Sequence, residues 1–174
     1  MITFTKSKLI ATPDLFQTFA EIAEEAVAKP RHECLAELSR YALRGVDCVV
    51  AYDDVDVVGY ALYGPAGKFI SWPMHMPLLV ELAKRGRKNV YMGSHFHLRK
   101  SYWGKGVQLK IMREYSQDIL DHGGKDYLIW GSLTDELAAY SNSKPGTEIM
   151  DGFVDLNGRQ IGLRDIAAYL EGTA

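Results

Sequence analysis

Two glycines one residue apart, Gly104 and Gly106, interrupt the stretch HLRKSYWGKGVQLKIMREY, which runs from His97 to Tyr115. Arg99 and Lys100 precede them, Lys105 separates them, and a run of helix formers follows. Where a strand hands over to a helix, the first helical amides lack intrahelical partners and carry the positive end of the macrodipole, which suits a phosphate or pyrophosphate. Glycine at 104 and 106 leaves no Cβ to hold an anion away from those amides. The plainer alternative is a strand-to-helix turn with solvated lysines. A Walker loop is excluded because Gly-x-x-x-x-Gly-Lys-Ser/Thr is absent, and a dinucleotide fingerprint because its third glycine is missing.

His95 and His97 sit two apart on the strand before this turn, so their side chains share a face. A neutral imidazole near pH 7 can take a proton from an ammonium, directly or through water. Either histidine is thus a candidate base, although a strand histidine taken singly is more often a satisfied structural residue. A metal on this pair would need a third ligand, and no Cys or carboxylate is spaced to supply one. No metal is expected.

The elements that must position these residues follow from periodicity and punctuation. ITFTKSKLI alternates as a first strand, and Thr12-Pro13-Asp14 starts a helix over 13–27 with Thr12 as its cap. In that helix Glu21, Glu24 and Glu25 take the wet side. A second helix spans 31–43 and is closed by Gly45. Two Val- and Tyr-rich runs flank Asp53-Asp54 as an antiparallel hairpin, with Asp53, Asp54 and Asp56 on a solvated turn. A short helix over 76–85, a fourth strand in NVYMGSHFHLRK, a helix over 104–120, a buried strand in DYLIWGSL and a short helix over 135–140 come next. Two strands around Asn157-Gly158 finish the chain. Trp72, Pro73, Met74, His75 and Met76 form an apolar patch that would either cover a site or fill the core.

Composition limits what such a frame can do. At 174 residues, with no repeat or linker, the chain is expected to be one domain, 1–174. A net charge of −2 argues against a general nucleic-acid or membrane coat, so any anion site should be local. The apolar runs fall short of the roughly 20 residues that span a bilayer. Two cysteines and no signal-like segment after MITFTKSKLI point to a cytoplasmic protein.

The order of elements and the segment Ser101-Tyr102-Trp103-Gly104-Lys105-Gly106 resemble the GNAT superfamily of acyl-CoA-dependent N-acetyltransferases, whose loop has the form Arg/Gln-x-x-Gly-x-Gly/Ala. Both glycines match, while Ser101 stands where Arg or Gln is usual. The resemblance implies an α/β (α+β) fold: a mixed, mostly antiparallel sheet of about seven strands flanked by helices, with splayed central strands. It implies acetyl-CoA as co-substrate, its pyrophosphate on Trp103, Gly104, Lys105, Gly106 and Val107 with Arg99 nearby, and its pantetheine arm on backbone around Leu98 and Lys100. An amine acceptor, small molecule or protein, would attack the thioester directly, with His95 or His97 as base. Tyr140 lies where the family commonly places the tyrosine that protonates the departing thiolate, although Ser141 could take that place. The resemblance is also compatible with a homodimer. An inactive CoA-binding or protein-interaction module of the same fold, of phage or mobile-element origin, is the alternative.

Overall fold

Proline, glycine and left-handed residues set the boundaries of the elements. In the computed structural model, which describes residues 1–69, 75–132 and 134–174, the chain opens with β1, Ile2–Lys8. Pro13–Leu15 then forms a tight 3-10 turn rather than a full helix. The Thr12 hydroxyl donates back to the Leu9 carbonyl at 2.9 Å, so it does not cap as expected. Helix α1, Phe16–Val27, buries Phe19, Ile22 and Ala23 and stops where Ala28 turns left-handed at φ 55°. Helix α2, Arg31–Leu43, starts after Pro30 and is closed by Gly45 at φ 71°, as the sequence predicts.

The hairpin forms as expected from β2, Asp47–Asp53, and β3, Asp56–Pro65. Helix α3, His75–Lys84, leads to β4, Val90–Leu98. A 3-10 turn over Lys100–Tyr102 precedes α4, Val107–Asp121. Strand β5, Asp126–Ile129, helix α5, Asp135–Asn142, and the strands β6, Thr147–Val154, and β7, Gln160–Asp165, follow. A terminal helix α6, Ile166–Gly172, capped by the Asp165 carboxylate, adds to the elements that the sequence predicts. Trp72, Pro73 and Met74 of the apolar patch lie outside the described residues.

The seven strands run in the order β1-β2-β3-β4-β5-β7-β6. Pairing is antiparallel for β1–β2, β2–β3, β5–β7 and β7–β6, and parallel for β4–β5, whose register takes in Val90 with Asp126 and Tyr91 with Tyr127. This is the mixed, mostly antiparallel sheet that the sequence suggests. The chain resolves into two compact units, 1–64 with 93–118 and 65–92 with 119–174. The first buries Phe19, Ile22, Leu38, Val49, Val50, Tyr60 and Ile111; the second buries Phe69, Leu78, Leu82, Leu128, Leu163 and Tyr169. No helix among the described residues is long and apolar enough to cross a membrane.

Candidate functional site

The glycine turn belongs to the first unit. Gly104 and Gly106 adopt φ 73° and 75°, a left-handed backbone that side chains with a Cβ rarely enter. A Cβ at either position would meet nothing within 4 Å, so the backbone conformation, and not crowding, demands glycine here. Because both glycines are left-handed, α4 begins at Val107 and not at Gly104. In the turn, the amides of Tyr102, Trp103 and Lys105 donate to the carbonyls of Arg99, Lys100 and Tyr102. The amides of Gly104, Gly106, Val107, Gln108 and Leu109 have no partner among the described residues. They form a cluster of donors at a helix start with Lys105 beside it.

The flanking charges each have contacts within the chain. The Arg99 guanidinium is held by two partners. Its Nη1 donates to Glu25 at 3.1 Å and its Nε to the Val57 carbonyl at 3.1 Å. The Lys100 ammonium lies 6.0 Å from the Trp103 ring, and that of Lys105 lies 5.2 Å from the Tyr102 ring. The Leu98 carbonyl accepts from the Trp103 indole at 2.9 Å, and the Lys100 amide donates to Glu25 at 2.7 Å. Two backbone groups expected to hold an extended ligand arm are therefore already engaged.

Behind the turn, β4 departs from regular strand geometry: His95 adopts φ 52°. A non-glycine residue held there is strained by about 1–3 kcal/mol, which neighbouring interactions must offset. The offset comes from a buried polar cluster. His95 Nε2 meets Glu37 Oε2 at 2.5 Å, and Lys29 Nζ also reaches Glu37, at 2.8 Å. Bonding to His95, reinforced by Lys29, holds the Glu37 carboxyl down to about 2, so it is ionised and Nε2 carries the proton. His95 Nδ1 is then left to accept from the Tyr60 hydroxyl at 3.2 Å, with Cys34 Sγ at 3.8 Å. Burial keeps the Cys34 thiol and the Tyr60 phenol protonated.

The His97 ring packs edge-on against His95, centroids 5.4 Å apart, and its Nδ1 is buried without a partner. Burial lowers His97 to about 3, so it is neutral at pH 7. Of the two histidines, His97 alone has a buried ring nitrogen without a hydrogen-bond partner among the described residues. Glu25 and Asp53, expected on solvated faces, and Glu37, which no motif marks, are the anchors of this region. Their partners are distant in sequence, and no local pattern signals them.

Tyr140 falls in the second unit, on α5. The Thr134 hydroxyl accepts from the Leu137 amide to cap this helix. The Tyr140 ring is 42% exposed and covered by the Lys144 ammonium at 3.6 Å, so it stands at a surface and does not pack into the sheet. At the far end of α5, the buried Arg164 donates to the Ser141 carbonyl at 2.8 Å and to the Thr147 hydroxyl at 3.2 Å. A polar hollow of about 240 Å³ in the same unit is lined by Arg87, Asp126, Glu148 and Asp165, and Arg87 and Asp126 form an ion pair at 3.0 Å.

The chain matches no protein-family profile and no curated protein in sequence. Solved structures do match. A protein assigned to the GNAT acetyltransferases from Desulfovibrio desulfuricans is 15% identical with a TM-score of 0.61, covering 95% of this chain and 99% of its own. The PaiA N-acetyltransferase from Thermoplasma acidophilum, solved in complex with coenzyme A, is 13% identical with a TM-score of 0.59 over 95% and 99%. An N-acetyltransferase from Staphylococcus aureus is 15% identical with a TM-score of 0.52 over 95% and 99%. The strand order, the strand-to-helix glycine turn and these similarities agree that the chain has the fold of the GNAT acetyltransferases.

Proposed function

We propose that the chain is an acyl-CoA-dependent N-acyltransferase that moves an acetyl group from acetyl-CoA to an amine. One observation carries the reading: five amides at the start of α4 are unpaired in a turn whose two glycines are both left-handed. Those donors fit a pyrophosphate, with Lys105 and Lys100 adding charge at the surface. The coenzyme A bound by the Thermoplasma relative supports the same ligand. Bound acetyl-CoA would supply the thioester carbon that an amine attacks.

The chain's own groups divide the remaining work. The neutral His97 ring accepts an N–H of the incoming amine and orients it. With its proton affinity lowered so far, His97 holds a proton poorly, so the proton lost by the amine passes to water or to the His95–Glu37 pair. Tyr140, exposed on α5, donates its phenolic proton to the departing thiolate. The full chain acts as one domain in this reading, in the cytoplasm, on a small-molecule or protein amine, and as a monomer or homodimer.

Incubation with acetyl-CoA and a panel of polyamines, amino acids, aryl amines and peptide N-termini, followed by detection of free CoA thiol, tests it. Amine-dependent thiol release supports the proposal. Binding of CoA without release for any amine supports the second reading, a CoA-binding module without transfer. Ser101 at the usual Arg/Gln position, and the prior engagement of the Leu98 carbonyl and the Lys100 amide, favour that second reading.

A further inference from the structure

The segment from Arg99 to Gly106 links β4 to α4, and inside it only short 3-10 bonds hold the backbone. For five amides to stay presented at one spot, something outside the segment must fix where it starts. Two carboxylates from different elements do so. Glu25, in the last turn of α1, spends one oxygen on the Lys100 amide at 2.7 Å and the other on Arg99 Nη1 at 3.1 Å. Arg99 is itself tied to β3, through its Nε to the Val57 carbonyl and its amide to the Val58 carbonyl. Asp53, the last residue of β2, accepts the Tyr102 hydroxyl at 2.8 Å. The Lys105 ammonium then rests over the Tyr102 ring.

We propose that Glu25 and Asp53 are positioning residues for the glycine turn, holding its entry from two sides so that the amides of Gly104, Gly106 and Val107 converge on the CoA pyrophosphate. The inference rests on the acyltransferase reading and deepens it. Electrostatics sharpens the argument: a carboxylate next to an anion site opposes anion binding through space. If Glu25 and Asp53 were ordinary surface charges, removing them would strengthen binding of CoA. If they position the turn, removing them weakens it. The two readings therefore differ in sign.

Isothermal titration of the full chain with CoA, with thermal unfolding as a control for folding, separates the cases. Glu25→Ala removes both bonds and should weaken CoA on the order of tenfold, a loss typical of outer-shell partners that hold binding groups in place. Glu25→Gln keeps an acceptor for the Lys100 amide while losing the charge, and should recover most of the affinity. Tyr102→Phe breaks the link to Asp53 without changing charge and should also weaken CoA. It serves as the test if Glu25→Ala does not fold. Equal or tighter CoA binding by Glu25→Ala, or an unchanged constant for Tyr102→Phe, overturns the positioning role. Failure of the wild-type chain to bind CoA at all would remove the acyltransferase reading itself, and the inference with it.

Discussion

Glu37 gives the sharpest quantitative test of the buried cluster. Its carboxylate joins α2 to the strained turn of β4 through His95 Nε2, and Lys29 joins it from the α1–α2 connection. Tyr60, Cys34 and His97 face the same imidazole, and Tyr41 lies edge-on at 6.1 Å. The drop of the Glu37 carboxyl from its ordinary 4.5 to about 2 corresponds to about 3 kcal/mol at full strength. The side chain is 26% exposed, so solvent screening reduces this to about 1–2 kcal/mol. In a chain of this length that is a fall in Tm of about 2–8 °C for Glu37→Gln at pH 7.

The sign with pH follows from the direction of the shift. A carboxyl whose folded pKa is depressed stabilises the fold fully above its unfolded value and loses that contribution as pH falls through the folded one. The gap between wild type and Glu37→Gln should thus be constant above about pH 5 and narrow below it, with more than half gone by about pH 3. Thermal unfolding of both proteins across pH 3 to 8 measures it. A gap of the same size at pH 3 and pH 7 would refute the reasoning.

Gly106→Ala forces a side chain into φ 75°, costing about 1–2 kcal/mol, and should weaken CoA by roughly 5- to 30-fold in calorimetry while α4 still forms. Unchanged affinity would remove the anion-turn argument. Tyr140→Phe should lower turnover and leave CoA affinity intact; equal turnover would end its role as acid. Gly124→Ala would drive a methyl into the Ile119 side chain and the Tyr91 ring, so it should lower stability by about 1–3 kcal/mol in denaturant titration.

Much of the frame is readable without coordinates because its signals are local. Pro30 and Gly45 bracket α2, Asn157-Gly158 marks the last hairpin, and the Val- and Tyr-rich runs around Asp53 form the central one. Thr12 misleads because its hydroxyl turns back to Leu9. The short α6 escapes because its few residues follow directly on a strand and depend on Asp165 for a start. The site is only half legible. The glycine turn shows in the sequence, but its left-handed geometry also moves the helix start to Val107. Alternation places His95 and His97 together, yet it carries no sign of the positive φ at His95 or of Glu37 arriving from α2. Glu25 looks like its solvated neighbours Glu21 and Glu24, which do pair at the surface with Arg31, and only tertiary packing sets it on Arg99 and Lys100.

The central claim is that the turn before α4 binds the pyrophosphate of an acyl-CoA. Thermal unfolding of the chain alone and with acetyl-CoA, CoA or ATP tests it most directly. At about 100 times the dissociation constant, binding stabilises by roughly 2.7 kcal/mol, which moves Tm by several degrees. The account predicts that shift with acetyl-CoA and with CoA and none with ATP. No shift with either CoA ligand, or an equal shift with ATP, would contradict it.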